Sequence, residues 1–397
     1  MTDLVAQGAF RRIWLAGLLS TLGTEITRLG LFLYLFNERD SVFDLALLVL
    51  LKTLPGALIA PIAGLLIDRV DKRRLMVACD LLQMLYLVVL LISPTLLLIY
   101  VTAALQSVTS AVFEPARRAA FPLVVDKGDI PEANGIDFST RNLMMILGPV
   151  LGAEIYLLGG LFAVLLADAA SYLASALFLL GLRPRQVARQ AHGGPSAWQE
   201  IRAGWRYFTG HRLVLHLTLL FFISMACSGI WVPLAPFFIR DVLGASERIL
   251  GYQIGIFGLG GMLGGMLAPR LTARVATGGI LLLALLLESV QLTLYSLVPD
   301  VHGSHIILFF WGIAVSLIAV SAYSILQTRV EEAYLGRVFA LVNQAENLAM
   351  LLAMGVAMAL GSVLSSQLIF LAAGVLYLST VALTSLTRNG RALWATR

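Results

Sequence analysis

A glutamate and an arginine stand three residues apart inside one long apolar stretch of this sequence. Glu25 and Arg28 both fall within residues 13–36, and at this spacing they share one face of a helix and can pair. A carboxylate in such surroundings holds a proton or a cationic ligand but not both, and this competition is the simplest way to couple the movement of two solutes. A structural ion pair that fixes helix packing is the alternative.

Further charged residues lie within other apolar stretches. Lys52 and Glu346 are near the middle of theirs, and Glu346 is a second candidate proton site. Arg141 is closer to the end of its stretch, where it can extend toward the surface, pair with Asp137 four residues earlier, or meet an anionic substrate. A charge near the centre of a bilayer costs about 2.5–3.5 kcal/mol, so each of these residues needs a reason to be there.

The stretches that carry these residues are membrane spans by composition and length. The chain has 397 residues, 59% hydrophobic and 13% charged, whereas soluble domains have about 45–50% apolar and 25% charged residues. Hydrocarbon offers the backbone no hydrogen-bond partners, so spans of roughly 20 residues must be helical, and the predicted class is an all-α integral membrane protein. Twelve spans are predicted, at residues 13–36, 43–67, 75–93, 96–113, 136–158, 161–182, 213–238, 249–268, 278–298, 304–326, 337–361 and 366–386.

Basic residues favour one orientation of these spans. With the amino terminus in the cytoplasm, the cytoplasmic loops and termini hold 22 of the 28 Lys and Arg residues, the outer loops hold 3 and the spans hold 3. Such an excess of Lys and Arg marks the cytoplasmic side of membrane proteins. Both termini are therefore predicted to be cytoplasmic.

The longest predicted cytoplasmic loop divides the chain into two sets of six spans. Residues 183–212 are basic and separate an amino-terminal bundle at 1–182 from a carboxy-terminal bundle at 213–397. Apolar side chains within this linker share one helical stripe, which predicts an amphipathic helix on the inner leaflet, with a plain linker as the alternative. The stripe consists of Trp198, Ile201, Trp205 and Phe208.

The two halves repeat a short pattern. Gly64, Asp68 and Arg69 follow span two. Gly265 and Arg270 stand in the places of the glycine and the arginine after span eight, without the aspartate. Parallel six-span repeats are typical of secondary transporters whose halves rock around a central site.

Other classes of function lack their motifs. The sequence has no nucleotide-binding loop of the Gly-x-x-x-x-Gly-Lys-Ser/Thr type, so it does not predict ATP-driven transport by this chain alone. The five histidines do not cluster as metal ligands do, and Cys79 and Cys227 fall inside apolar runs, so neither a metal site nor a disulfide framework is predicted. No enzyme, no cofactor, no nucleic-acid partner and no channel filter is expected.

The loop between spans two and three carries a motif that points to a family. It contains Gly64, Asp68 and Arg69, and after two further residues the basic pair Lys72 and Arg73 follows. This spacing, in a cytoplasmic loop at this place, resembles the signature loop of the major facilitator superfamily. The resemblance implies twelve transmembrane helices in two pseudo-symmetric six-helix bundles. It also implies that Asp68 lies near Arg337, at the start of the eleventh helix, and latches the two halves together when the cavity opens outward. The alternative is that the basic residues of this loop serve only to orient the protein in the membrane.

Further segments resemble the macrolide-efflux and siderophore-exporter branch of drug:proton antiporters in this superfamily. The matching segments are residues 10–14, 20–23, 113–122, 133–135 and 335–340. In this branch an acid often follows the glycine of span one directly. Here Thr24 follows Gly23 and the acid is Glu25, about 100° further around the helix.

The resemblance also implies a set of gating residues. Gly148, Pro149 and Gly152 resemble the Gly-Pro-x-x-Gly element of proton-coupled exporters, in which proline bends the helix and the glycines allow close packing. Asp80 and Glu114, near inner helix ends, are expected to join the basic members of the set. The expected gating residues are Gly64, Asp68, Arg69, Arg73, Arg117, Arg118, Gly148, Pro149, Gly152 and Arg337.

In this superfamily, helices one, four, seven and ten line the translocation cavity. The resemblance therefore places Glu25 and Arg28 on the path and makes Gln106, Trp231 and Tyr323 candidates for the cavity surface, with packing against neighbouring helices as the alternative. The candidate coupling and cavity residues are Glu25, Arg28, Lys52, Gln106, Arg141, Trp231, Tyr323 and Glu346.

Two more acids, Asp168 and Glu288, lie in the middle of spans six and nine. The superfamily places those helices at the periphery of each bundle, away from the cavity. Interhelical hydrogen bonding is therefore the expected role of both carboxylates.

The sequence thus predicts a proton-coupled secondary transporter that exports an amphiphilic small molecule, such as a drug, a macrolide-like compound or a siderophore, by alternating access. Its expected partners are the substrate, protons and the lipid bilayer, its expected state is a monomer, and its expected location is a bacterial inner membrane. The alternatives are a lipid or lysophospholipid flippase, an importer or uniporter of the same fold, and a membrane scaffold or sensor without transport.

Overall fold

The computed structural model describes residues 7–126, 129–182, 205–272 and 274–387, and every regular element in these ranges is helical. The chain divides into two compact units, Met1–Gln190 and Ala191–Arg397. The first unit contains α1 (Gly8–Arg39), α2 (Val42–Arg69), α3 (Lys72–Ile92), α4 (Leu96–Ala120) and α5 (Ile130–Leu180). The second unit contains α6 (Arg212–Ser228), α7 (Trp231–Asp241), α8 (Arg248–Thr272), α9 (Thr277–Leu297), α10 (Val301–Arg329), α11 (Glu332–Leu360) and α12 (Ser366–Leu386).

These helices follow the predicted spans with two differences. Spans five and six both lie in α5, which is broken at Gly159 and Gly160, where the backbone leaves the helical conformation. Gly160 has φ 62°, a left-handed conformation that glycine adopts without steric cost. Span seven is divided into α6 and α7 by a turn at residues 229–230.

Ten segments of the described residues are long and apolar enough to cross a membrane, and one of them, Ser139–Leu180, covers both arms of α5. Helix α1 is not among the ten, because Glu25 and Arg28 lower the hydropathy of its central turns. Together, α1 and these ten segments include all twelve predicted spans. The predicted all-α membrane fold is confirmed.

Side-chain caps fix the starts of several helices. The Asp71 carboxylate accepts a hydrogen bond from the backbone N–H of Arg74 at 2.8 Å, where α3 begins. The Asp300 carboxylate accepts one from Gly303 at 2.8 Å, where α10 begins. Such caps satisfy backbone donors that have no partner within the helix.

The two units pack their helices in matching pairs. In the first unit, α2 packs on α4, and α3 packs on both α4 and α5. In the second unit, α8 packs on α10, and α9 packs on both α10 and α12. The contact of α1 with α5 is matched by the contact of α6 with α11. Each unit therefore repeats one arrangement of six spans, as two pseudo-symmetric bundles require.

Most of the predicted amphipathic linker helix lies outside the described residues. Residues 205–210 are helical, and the Trp205 and Phe208 rings of the predicted stripe stack with centroids 6.0 Å apart. Phe208 is buried and Trp205 is exposed. The domain limits at 182 and 213 and the placement of this helix on the membrane stay predictions.

Candidate functional site

Glu25 lies at the interface between α1 and α5. It is 6% exposed and pairs with Arg28, as their spacing predicts, and the Arg28 side chain is 48% exposed. A Cβ at Gly148 of α5 would overlap the Cβ of Glu25, and one at Gly152 would come within 2.8 Å of the Ile26 carbonyl oxygen. The two glycines of the predicted gating element therefore let α5 approach the acid-bearing face of α1.

Lys52 and Asp168 join Glu25 and Arg28 in a group that we term the α1–α2–α5 charge cluster. Lys52 of α2 is half-buried and interacts electrostatically with both Glu25 and Asp168. Asp168 is fully buried, and one of its carboxylate oxygens accepts a hydrogen bond from Ser171 Oγ at 3.3 Å. When all four groups are ionised, their formal charges cancel. Interhelical hydrogen bonding was the expectation for Asp168. The hydrogen bond from Ser171 lies within α5, and the electrostatic interaction with Lys52 links Asp168 to α2.

A second group, the α4–α5 ion cluster, is centred on Arg117. This residue is fully buried, and its guanidinium donates to both carboxylate oxygens of Asp137, at 2.5 and 3.0 Å. Arg117 also pairs with Glu114 at 3.3 Å, and Glu114 pairs in turn with Arg141. The guanidinium lies over Gly17 of α1, where a Cβ would come within 2.7 Å of Nη1. Two parallel charge-assisted hydrogen bonds hold such a pair in a fixed geometry.

The alternatives considered for Arg141 from the sequence did not include the partner that it has in the α4–α5 ion cluster. Its partner is Glu114 on the neighbouring helix, while Arg117 occupies both oxygens of Asp137, the partner considered from the sequence. Arg141 also lies within electrostatic range of Glu25. The two groups of charges therefore adjoin each other along α5.

Arg73 and Asp80, expected in one network of gating charges, have separate partners. Arg73 Nε donates to the Leu179 carbonyl at 3.1 Å and Nη2 donates to the next carbonyl, so Arg73 caps the carboxyl end of α5. Asp80 is fully buried and accepts a hydrogen bond from Ser175 Oγ at 2.6 Å. Both contacts join α3 to the end of α5.

The predicted latch falls on side chains outside the described part of the structure. The backbone is helical at all of these positions, in α2 and α11. The residues concerned are Gly64, Asp68, Arg69 and Arg337. Of the other gating candidates, Arg118 is exposed near the end of α4, and Pro149 is buried within α5. The latch itself stays a prediction.

Polar side chains that sequence reasoning did not connect join α1, α3, α4 and α5. The Tyr172 hydroxyl donates to Gln83 Oε1 at 2.8 Å, and its oxygen lies 2.8 Å from Thr24 Oγ1. Ser110 Oγ donates to the same Gln83 oxygen at 3.5 Å. We refer to these four residues as the first polar network. In the sequence, these residues are recognisable only as polar positions in the middle of apolar spans. Tyr172 and Gln83 are 89 residues apart, so no local spacing predicts that they pair.

The second unit contains a comparable group around Glu288 of α9, which we term the second polar network. Glu288 Oε2 accepts hydrogen bonds from Tyr377 of α12 at 2.6 Å and from Ser224 of α6 at 2.8 Å. Glu288 Oε1 accepts one from Trp311 Nε1 of α10 at 3.3 Å. The interhelical hydrogen bonding predicted for Glu288 is confirmed.

The aromatic cavity candidates of the second unit pack against other rings. Trp231 meets Tyr295 and Trp311 edge to face, each at a centroid distance of 6.4 Å. Tyr323 stacks on Phe221 at 6.0 Å. The observed ring contacts agree with packing, the alternative considered for these residues.

The last two candidates have few polar contacts. Glu346 of α11 is half-buried, lies within electrostatic range of Tyr323, and has no ion-pair partner among the described residues. Gln106 is buried in α4. Across the described ranges, no group of three or more His, Cys, Asp or Glu side chains is placed to hold a metal ion. Buried carboxylates can bind a proton or a cation, and this is the chemistry that the described side chains can perform.

The chain is similar to known proteins both in sequence and in fold. The profile of the Major Facilitator Superfamily matches residues 13–354. Macrolide efflux protein A of Streptococcus pyogenes is 23% identical over 356 residues, 86% of each chain. The enterobactin exporter EntS of Escherichia coli is 25% identical over 337 residues, 83% of this chain and 80% of that one. The crystal structure of the nucleoside transporter NupG has the same fold, with a TM-score of 0.77 at 11% identity over 98% of this chain and 100% of that chain.

Proposed function

The chain belongs to the major facilitator superfamily, and we propose that it exports an amphiphilic small molecule in exchange for protons. As a member of that superfamily it is a multi-pass membrane protein and a secondary transporter that binds a small-molecule substrate, not an enzyme. The proposed parts are the direction of transport, the coupling to protons and the class of substrate.

The α1–α2–α5 charge cluster is the observation that carries proton coupling. Buried charges cost several kcal/mol each unless opposite partners offset them, so the cluster is stable when its charges balance. A proton on Glu25 gives the cluster a net positive charge and repels a cationic ligand. A cationic ligand beside Glu25 favours the ionised carboxylate and expels the proton. Proton and ligand therefore compete at Glu25, and the competition couples their movements.

The other candidate residues take supporting roles in this mechanism. Lys52 and Arg141 set the electrostatic field around Glu25. Glu346, half-buried without an ion-pair partner among the described residues, is the second proton site. Gln106, Trp231 and Tyr323 supply polar and aromatic surface to the substrate. The two bundles expose this surface alternately to each side of the membrane, as is general for transporters built from such repeats.

Two relatives that are named for what they export support the proposed substrate class. A macrolide and enterobactin are both large molecules that combine polar groups with apolar surface. The balanced charges of the first unit and the aromatic side chains of the second are the kinds of group that bind such a ligand. We propose that the protein is a monomer in the inner membrane of a bacterium, with both termini in the cytoplasm. The distribution of the basic residues supports this orientation.

The test is transport by the purified protein in liposomes with an imposed pH gradient, using radiolabelled erythromycin and enterobactin as probes. We expect the gradient to drive accumulation of at least one probe. Glu25→Gln should lose gradient-driven accumulation while it keeps exchange of the probe at equal concentrations. Glu38→Gln is the matched control, because Glu38 is an exposed carboxylate on the same helix.

Three outcomes would contradict the proposal. Movement of a probe that ignores the pH gradient would indicate a uniporter. Movement of a lysophospholipid with neither probe transported would indicate a flippase. Coupling that is intact in both Glu25→Gln and Glu346→Gln would remove the assigned proton sites.

A further inference from the structure

Glu288 is buried without a charge to balance it. It is 1% exposed, and among the described residues no Lys, Arg or His pairs with it, unlike Glu25 and Asp137. Helices α9 and α12 contain no basic residue, and residues 253–269 of α8 and 306–328 of α10 contain no charged residue. The titratable groups that face Glu288 are Cys227 of α6 and Tyr377 of α12.

The first polar network occupies the corresponding place in the first unit. Tyr172 donates to Gln83 as Tyr377 donates to Glu288, and 89 residues separate the partners in both cases. Gln83 and Glu288 each stand eleven residues after the first residue of their helices, α3 and α9. The two networks are therefore copies of one element of the repeat.

One difference separates the copies: an amide stands in the first and a carboxyl group in the second. A hydroxyl group joins each network from another helix. Thr24 of α1 contacts Tyr172 in the first network, and Ser224 of α6 donates to Glu288 in the second. Because Gln83 accepts its hydrogen bonds as a neutral group, the interhelical contacts of this element do not require a charge. What the carboxyl group adds at Glu288 is the capacity to gain and lose a proton.

The second polar network can hold both protonation states. Ionised Glu288 accepts three hydrogen bonds, which offset part of the cost of its buried charge. When a proton is added to Oε2, one of the two hydroxyl groups that donate to this oxygen must become an acceptor. Ser224 can do so, because a serine hydroxyl in a helix can turn and donate to the carbonyl four residues earlier.

We propose that Glu288 is a proton-binding site, so that the second unit takes up and releases a proton of its own during transport. The ligand is a hydrogen ion from water, and the carboxylate becomes a carboxylic acid with no other covalent change. This inference rests on the proposed proton coupling and adds to it a site on α9, outside the charge clusters of the first unit.

The direct test is infrared difference spectroscopy of the full-length protein in lipid bilayers, between acidic and alkaline buffer and without substrate. We expect a carbonyl band of a protonated carboxyl group that is absent from Glu288→Gln and present in Glu25→Gln. Gln83→Glu is the matched control, since it places a carboxyl group in the first polar network and should add a band that the wild type lacks. A difference spectrum of Glu288→Gln identical to that of the wild type would overturn the proposal.

A second variant covers the case in which Glu288→Gln does not fold. Tyr377→Phe removes one donor to Oε2 and leaves the acid in place, so the band should shift in frequency. An unmoved band in Tyr377→Phe would also overturn the proposal, because the titrating acid would then lie elsewhere.

Transport measurements separate this inference from the proposed function. Glu288→Gln should move fewer protons per molecule of radiolabelled erythromycin than the wild type does. Proton movement equal to wild type in this variant would overturn the inference and leave the proposed function standing. Transport by the wild-type protein without any proton movement would overturn both the inference about Glu288 and the proposed function.

Discussion

Gly148 of α5 and Glu25 of α1 are in direct contact, with no room for a Cβ on the glycine. Arg141 of α5 also lies within electrostatic range of Glu25, so the distance between α1 and α5 affects how strongly these two charges interact. The absence of a side chain at Gly148 therefore lets Glu25 lie close to α5 and within range of Arg141.

Gly148→Ala is expected to lower the thermal unfolding temperature and to reduce transport. The added methyl group overlaps Glu25 and forces α1 and α5 apart, and overpacking of this kind typically costs about 1–3 kcal/mol. The control is Gly355→Ala on α11, where an added Cβ meets no heavy atom within 4 Å. Equal unfolding temperatures for the two variants would contradict the close contact.

Arg117→Met is expected to destabilise the first unit strongly. It leaves Asp137 buried without its partner, and breaking a buried ion pair in this way costs about 3–5 kcal/mol. Adding Asp137→Leu should restore part of the loss, because the second change removes the unpaired charge. The measurement is thermal unfolding, with Arg118→Met as the exposed neighbouring control. A double variant less stable than Arg117→Met alone would argue against charge balance as the cause.

Lys52→Met and Asp168→Asn are expected to be non-additive in transport assays. Each single change unbalances the α1–α2–α5 charge cluster, whereas the double variant is balanced again. Interacting residues typically show coupling energies of about 0.5–3 kcal/mol in such cycles. The rate of pH-driven uptake in the four proteins gives the coupling directly. Effects that simply add would mean that Lys52 and Asp168 act independently.

Asp68→Asn is expected to reduce transport about tenfold or more while folded protein stays in the membrane. The family resemblance assigns Asp68 to a latch, and a hydrogen bond to a charged group contributes about 1.5–3 kcal/mol. Asp71→Asn in the same loop is the control, because Asp71 caps α3 and asparagine caps helices equally well. Turnover at the wild-type rate in Asp68→Asn would eliminate the latch.

Features that depend on one helix at a time were predictable from the sequence. The spans follow from hydropathy, and the pairing of Glu25 with Arg28 follows from their spacing on α1. The Gly148 element was identified by resemblance, but Glu25 as its contact was not. That contact depends on how two helices are rotated about their axes, which hydropathy does not encode.

Which residues pair between helices could not be predicted from the sequence, and the reason is physical. In a bilayer nearly every helix face is apolar, so the amphipathic pattern that orients helices in soluble proteins is weak, and packing decides which faces meet. Arg141 pairs with Glu114 of α4, while Arg117 of the same helix occupies both oxygens of the local partner Asp137. The links from Lys52 to Asp168 and from Tyr172 to Gln83 likewise join distant segments.

The break in α5 offers a convenient place to learn which way the protein faces. Leu158, next to Gly159, is exposed, and both native cysteines, Cys79 and Cys227, are buried. A thiol introduced by Leu158→Cys would therefore react with a membrane-impermeant maleimide over a low background. Labelling of intact cells from outside is the outcome that cytoplasmic chain ends require, so one modified residue reports the sidedness of every span.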